Sequence, residues 1–399
     1  MQKTRNKKIN IPSDKRMIVT SDIHGHYYHL KNILKKVNFT EDDILFIVGD
    51  IIEKGPLSLK TVRYVIELCK DYTVYPLMGN VDATRILMFD DDSEDSCERL
   101  FEYIKFMRKH WGGCLFLDMC NELKVYIYSP TDIPNAKEQI GMKFKEEFDF
   151  LRSLPTIIET QNYIFVHGGL PSNDIDSFVG TDAFLYMQNN AFMEKGIEFN
   201  KYIVVGHWPV TLYNDKIASS NPIINEKQKI ISIDGGCGLK QDGQLNALII
   251  SNIHSEDITF EFYDDFPVAF ARTLQEKSTD SINIRYSDNK ITILEKGEEF
   301  SLAKHKSSGY RLWIHNDYIY SFGEDAKCDD YTDYRIPINI GDKLSIIKKT
   351  SKGYLVKKDG ISGWYNGVID YKLMMVNNSI EWDVLVDWVY RVSIIRGEK

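Results

Sequence analysis

Residues 17–25, Met17-Ile18-Val19-Thr20-Ser21-Asp22-Ile23-His24-Gly25, run from an apolar stretch straight into an acid, an imidazole and a glycine. The same order recurs along the chain. Ile44–Val48 leads into Gly49-Asp50, residues 74–78 into Gly79-Asn80, Tyr163–Val166 into His167-Gly168-Gly169, and Tyr202–Val205 into Gly206-His207. Short apolar runs bounded by glycine and polar residues predict buried strands. Asp22, His24, Asp50, Asn80, His167 and His207 therefore arrive at the carboxyl ends of neighbouring strands, where open sheets place their ligand sites. Burying carboxylates and imidazoles is costly unless they are paired or bind metal. The pattern points to a metal centre.

Composition sets the classes that remain. The chain has 399 residues, 43% hydrophobic and 12% aromatic, as expected of a globular protein with room for more than one domain. A net charge of -9 argues against general nucleic-acid binding, which depends on Lys and Arg facing phosphates. Cys69, Cys97, Cys114, Cys120, Cys237 and Cys328 form no CxxC pair, so neither a zinc knuckle nor a disulfide framework is expected. The basic start (Lys3, Arg5, Lys7, Lys8) is followed by no apolar core of a secretory signal, and no run approaches a membrane span. A cytoplasmic protein with no membrane contact is the expectation.

From about 14 to 268, strand-like runs alternate with helical patterns, which predicts an α/β domain. Helices are expected over 26–37, 57–71 and 93–109; in the second, Leu59, Val62, Val65, Ile66 and Cys69 share one face. The acidic cluster Asp90, Asp91, Asp92, Glu94 and Asp95 fits a solvated loop and helix start, since the glycine and terminal Glu of a calcium loop are missing. From 279 to 372 the sequence turns to short β-rich runs and repeats itself. Gly297, Gly309 and Tyr310 recur as Gly341, Gly353 and Tyr354 at a constant offset of 44 (341 − 297, 353 − 309, 354 − 310), predicting two copies of one small β unit. The second copy, Gly341-Asp342-Lys343-Leu344 through Gly353-Tyr354-Leu355-Val356 to Gly363-Trp364, resembles bacterial SH3-like barrels. A protein partner could dock through this region, or it could pack as a lid beside the site. Residues 373–399 carry a helical spacing (Trp382, Val386, Val389).

Asp, His and an Asn carbonyl suit Mn²⁺, Fe²⁺ or Zn²⁺. Six ligands are too many for one open catalytic ion, whereas two ions about 3.5–4 Å apart and bridged by one carboxylate fit. The motifs SDIHG (21–25), GDIIEKGPLSL (49–59), GN (79–80), FVHGGLP (165–171), VVGHWP (204–209) and SIDGGCG (232–238) resemble the calcineurin-like metallophosphoesterases, in the branch of phosphoprotein phosphatases and symmetrical diadenosine tetraphosphatases. The resemblance covers the larger, N-terminal part of the chain and implies a four-layer αββα sandwich followed by the small all-β region. It implies that Asp22 and His24 hold a first ion, Asp50 bridges, and Asn80, His167 and His207 hold the second, with manganese the expected metal and iron or zinc alternatives. It further implies that water activated between the ions attacks phosphorus in line, on a phosphorylated protein or a nucleotide phosphoanhydride.

The departures from the family pattern bear on substrate. Where the phosphatases carry a histidine that protonates the leaving group, this chain has Val81; its partner acid is Glu53 where the family has Asp, and Lys54 replaces an arginine. Lysine balances charge but cannot form the bidentate fork to phosphate. General-acid assistance is typically worth about 10²–10⁴-fold, so its loss favours a substrate with a good leaving group. Gly79-Asn80-Val81-Asp82 also resembles the GNxD variant of phosphodiesterase-type members, yet Pro209 stands where those carry a second histidine. His26, Asp82 or a water are replacement acids to consider, and Arg85 a replacement phosphate clamp beside Lys54. His110, His254 and His315 lack the strand-end context and read as structural. Cys237, between glycines, reads as part of a turn. Phosphodiesterase activity, or an inert phosphatase-like binding module, are the alternatives.

Overall fold

The computed structural model describes residues 2–255, 257–321 and 326–371. The expected helix in the tail beyond 372 lies outside the described residues. The order of elements is β1 (Asn6–Lys8), β2 (Met17–Thr20), α1 (Tyr27–Lys36), β3 (Ile44–Val48), α2 (Ser58–Asp71), β4 (Thr73–Leu77), α3 (Asn80–Asp90), α4 (Glu94–Trp111), α5 (Leu115–Leu123), α6 (Ile133–Lys143), α7 (Lys145–Ser153), β5 (Ile157–Glu159), β6 (Tyr163–Val166) and β7 (Tyr202–Val205). Next come β8 (Ala218–Ser219), β9 (Ile223–Asn225), β10 (Ile230–Ser232), β11 (Leu245–Ile250), β12 (Ile258–Tyr263) and β13 (Val268–Ala271).

Two sheets stack. One runs β12-β11-β2-β3-β4 and the other β1-β5-β6-β7-β10-β9. Every residue of β2, β3 and β6 is buried, because both faces of each sheet are covered. Met17, Val19, Phe46 and Val48 meet Phe165, Val204 and Ile231 between the sheets, with the Phe46 and Phe165 rings stacked 3.9 Å apart. Their neighbours Ile18, Leu45 and Ile47 face the other way, into Leu30, Val62 and Val65 of α1 and α2. Such alternation is the pleat's period of two. The outer face of the second sheet is covered by the 170–199 segment through Leu170, Phe178 and Phe192. The result is the mixed α/β fold in four layers. Helix α4 starts where the acidic cluster ends: Ser93 accepts a hydrogen bond from the Ser96 amide at 3.3 Å, Glu94 and Asp95 occupy the first turn, and Gly112, at φ 75°, ends it.

The C-terminal region consists of short strands: β14 (Asn283–Ile284), β15 (Ile291–Glu295), β16 (Phe300–His305), β17 (Arg311–His315), β18 (Ile319–Ser321), β19 (Lys327–Cys328), β20 (Tyr331–Thr332), β21 (Lys343–Thr350), β22 (Gly353–Lys358), β23 (Ile361–Tyr365) and β24 (Ile369–Asp370). Its largest sheet runs β24-β13-β21-β22-β23-β8. It therefore takes β8 from inside the expected N-terminal domain and β13 from its end. Two buried lysines add to this join. Lys240 pairs with Asp330, and Lys357 donates to the carbonyls of Asp242 and Gly243. Among the described residues, no helix is long and apolar enough to cross a membrane.

Candidate metal centre

Strands β2, β3 and β4 are mutually parallel, as are β6, β7 and β10. Their carboxyl ends consequently open on one edge of the sandwich. Asp22, Asp50 and Asn80 follow the first three strands; His167, His207 and Asp234 follow the second three. The turns that deliver them are strained. Asp22, His24, Asp50 and His207 all lie in the left-handed region, at φ 52°, 50°, 50° and 67°, as do Glu53 and Lys54 at 71° and 56°. Non-glycine residues there carry a conformational cost that a surrounding site must over-determine. Close approach explains two glycines: a side chain at Gly79 would collide with Asp50, and one at Gly206 with Asp22.

The six predicted ligands converge. Asp22, His24 and Asp50 offer ligand atoms within 4.8 Å of one another. His24 Nε2 lies 3.8 Å from Asp50 Oδ2 and 3.9 Å from Asp22 Oδ1. His167 Nε2 lies 3.4 Å from Asp50 Oδ1 and 3.1 Å from Asn80 Oδ1. His207 Nδ1 lies 2.9 Å from Asn80 Oδ1. Asp50 thus turns one oxygen to each half of the cluster.

The second nitrogens of the rings fix what the first can do. His24 Nδ1 donates to the Ile52 carbonyl at 3.2 Å and His167 Nδ1 to the Val48 carbonyl at 2.8 Å. His207 Nε2 donates to Asn190 Oδ1 at 2.7 Å. In the neutral rings of His24 and His207 the remaining nitrogen is then a bare lone pair facing carboxylate or amide oxygen, whereas His167 holds a proton between itself and Asp50. Acceptors pointed at acceptors repel unless a cation lies between them, so this donor set fits divalent metal. Second-nitrogen hydrogen bonds of this kind orient metal-ligating histidines.

Electrostatics agree. Burial, with His167 close by, lowers the His207 pKa to about 3; burial and Lys54 lower His24 to about 3. Burial also depresses His167, but Asp50 and Asp22 outweigh it and raise that ring to about 10. Burial, reinforced by Asp234, holds the Asp22 carboxyl well above its usual range, and burial raises Asp234 to about 6. Metal-free, the cluster keeps protons that divalent ions would displace.

The remaining site candidates divide. Lys54 Nζ lies 3.4 Å from His24 Nε2 and lines the cavity above the cluster. Asp82, His26 and Arg85 do not join it. Asp82 is fully buried; its Oδ1 accepts from the amides of Ile51 and Ile52, and its Oδ2 from that of Gly79. It staples two ligand loops, and burial beside Asp50 raises its carboxyl to about 7. His26 Nδ1 donates to the His24 carbonyl at 2.8 Å, bracing the same turn. The Arg85 guanidinium stacks 3.8 Å over the Tyr103 ring. Glu53, which accepts from Tyr103 Oη and the Leu115 amide, belongs to that same buried group. Arg85 thus shares Tyr103 with Glu53, and neither Arg85, Asp82 nor His26 lines the cavity over the cluster. Val81 gives its amide to Asp50 Oδ1 at 2.9 Å, and its side chain carries no proton to replace the missing acid.

Two residues escaped the sequence reading. Asp234 follows β10 as the other donors follow their strands, within the glycine-flanked motif that also holds Cys237. Asn190 comes from an irregular segment with no periodic signal. Both line a cavity of about 480 Å³ that opens over Asp50, Asn80 and His207 and is closed on its far side by the C-terminal β region, including Tyr318, Asp329 and Asp330.

A sequence model described as calcineurin-like phosphoesterase matches residues 15–230, just over half of the chain. The symmetrical bis(5'-nucleosyl)-tetraphosphatase of Buchnera aphidicola subsp. Baizongia pistaciae (strain Bp) is 38% identical over 267 residues, covering 54% of this chain and 88% of the relative. With the protein of that name from Buchnera aphidicola subsp. Schizaphis graminum (strain Sg), identity is 39% over 83 residues; the match covers 21% of this chain and only 30% of the relative's length. Among solved structures, a protein serine/threonine phosphatase from Saccharomyces cerevisiae aligns over 66% of this chain and 84% of its own, at 15% identity and a TM-score of 0.39.

Proposed function

Because the chain belongs to the calcineurin-like phosphoesterase family, we propose that it is a two-metal phosphoester hydrolase acting on a nucleotide phosphoanhydride. The observation that carries this reading is the convergence of His24 Nε2, His167 Nε2 and His207 Nδ1 on the oxygens of Asp22, Asp50 and Asn80, with neighbouring donor atoms 2.9 to 3.9 Å apart. Asp22 and His24 would hold one ion, Asn80, His167 and His207 the other, and Asp50 both; manganese suits this set, with iron and zinc alternatives. Bound there, two divalent ions would neutralise phosphate charge and activate water.

The chain's own groups do the rest. Lys54 places a positive charge at the cavity wall, where it can orient a phosphate oxygen as a point charge. Ile51, Ile52 and Gly79 are fixed by Asp82, so the ligand loops are set before substrate arrives. Val81 leaves the departing group without a proton donor, which favours a phosphoanhydride over the alkoxide of a phosphoserine. The names of the tetraphosphatase relatives point to the same class. We take the repeated β units as SH3-like modules and the cytoplasm as the compartment, in keeping with the sequence.

One preparation supplemented with Mn²⁺ tests the reading on p-nitrophenyl phosphate, bis-p-nitrophenyl phosphate, diadenosine tetraphosphate and a phosphoserine peptide. Turnover of the tetraphosphate well above that of the peptide is expected; no turnover of any of the four contradicts it. A second reading, a metal-binding but inert module, is favoured only by Val81, and tight metal without turnover would support it.

A further inference from the structure

We propose that Glu53 is a positioning residue: pinned to the turn between α4 and α5, it sets where Lys54 meets the phosphate. This rests on the phosphoesterase reading, which places a phosphate within reach of the Lys54 charge. Glu53 and Lys54 are consecutive non-glycine residues in the left-handed region, at φ 71° and 56°. Such backbone persists only where its surroundings over-determine it. The Glu53 amide donates to Ser58 Oγ at 2.9 Å. Its side chain is 1% exposed and lies outside the cavity over the metal cluster. One carboxylate oxygen accepts from Tyr103 Oη at 2.5 Å and the other from the Leu115 amide at 3.1 Å.

Both partners are themselves fixed. Leu115 opens α5, so its amide has no acceptor within the helix, and the helix dipole favours a carboxylate there. The Arg85 guanidinium, stacked 3.8 Å over the Tyr103 ring, holds that ring in place. Farther along the same loop, the Leu59 amide donates to Asp118 Oδ2 of α5 at 3.0 Å. On the opposite side, a side chain at Gly55 would collide with the His24 carbonyl. The turn is therefore wedged between α5 and the loop that carries His24. Lys54 leaves it toward the cavity, with Nζ 3.4 Å from His24 Nε2. A lysine is a point charge on a flexible four-carbon stem, so its reach depends on where the backbone starts it. Length decides whether Glu53 can act. Aspartate is one methylene too short to meet Tyr103 and Leu115 from the same backbone, whereas glutamine keeps the reach, accepting from the amide and donating to the phenol oxygen.

The test is calorimetric titration of inorganic phosphate into the full-length protein loaded with Mn²⁺, which needs no turnover. Lys54→Met should weaken phosphate at least about fivefold (about 1 kcal/mol). Glu53→Asp and Tyr103→Phe should each weaken it about threefold or more, and Glu53→Gln less than Glu53→Asp. In the Lys54→Met background neither Glu53→Asp nor Tyr103→Phe should cause a further loss, because both act through the lysine. Wild type that binds no phosphate, unchanged affinity in Lys54→Met, unchanged affinity in both Glu53→Asp and Tyr103→Phe, or losses that add in full to that of Lys54→Met would overturn the proposal. So would Glu53→Gln binding more weakly than Glu53→Asp, which would make charge and not reach the contribution of Glu53. Should Glu53→Asp fail to unfold cooperatively, the Tyr103→Phe and Lys54→Met pair decides. Wild type that shows these effects on phosphate yet hydrolyses none of the four substrates would instead fault the phosphoesterase reading.

Discussion

Asp50 accepts the Val81 amide on the oxygen that faces His167 and leaves the other to His24. The bridging role of Asp50 is what the family resemblance of the motifs implies, and the position after the middle of three parallel strands gives it neighbours on both sides. Asp234 and Asn190 were less legible. The first was masked by a conspicuous cysteine and the second sits where no pattern constrains the chain. A half-buried acid outside the metal cluster gives a pH signature. Asp118 accepts the Leu59 amide at 3.0 Å, and burial raises its carboxyl to about 7. The folded protein keeps this proton up to about pH 7, while the unfolded chain releases it near pH ~4. Between those limits the folded state binds more protons, so stability falls as pH rises through the window and levels off above it. Asp118→Asn should remove up to about 4 kcal/mol of that slope. Thermal unfolding from pH 4 to 8 checks it; a slope identical to wild type would show the carboxyl ionises freely.

Loops after strands carry the chemistry, and their conformation is where sequence reasoning was weakest. The apolar runs of β2, β3, β6 and β7 were readable because sheets covered on both faces leave no polar alternation. The short strands β1, β5, β8 and β9 offer too few residues for a pattern. Asp82 illustrates the loop problem: from sequence it was a spare acid, whereas in the fold it satisfies three amides. Asp82→Ala should therefore cost about 1–3 kcal/mol of stability, seen in urea unfolding, with metal affinity falling alongside. Full stability combined with a loss confined to the acid limb of the pH–rate profile would restore the proton-donor role.

Across the molecule, the offset of 44 residues brings β16, β17 and β18 into register with β21, β22 and β23 (344 − 300, 355 − 311, 363 − 319), but the pairing differs: β23 pairs with β22, whereas β18 pairs with β19 and not with β17. The internal pattern was visible in the glycines and aromatics; the attachment was not. Nothing local marks Ala218–Ser219 as a strand completed by Ile361 and Ser362, or Lys357 as a buried cation. Lys357→Ala should lower stability by about 3 kcal/mol, the scale of removing a charge that holds buried carbonyls. Denaturation together with limited proteolysis would report it, and a variant as stable and as resistant as wild type would mean that Lys357 does not hold the two regions together. The central claim is a pair of ions shared by one carboxylate. Electron paramagnetic resonance of the protein loaded with Mn²⁺ tests it most directly. Two ions per chain with an exchange-coupled spectrum, replaced by an uncoupled six-line signal in Asp50→Asn, is the predicted result; an uncoupled signal from a single ion in the wild type would contradict it.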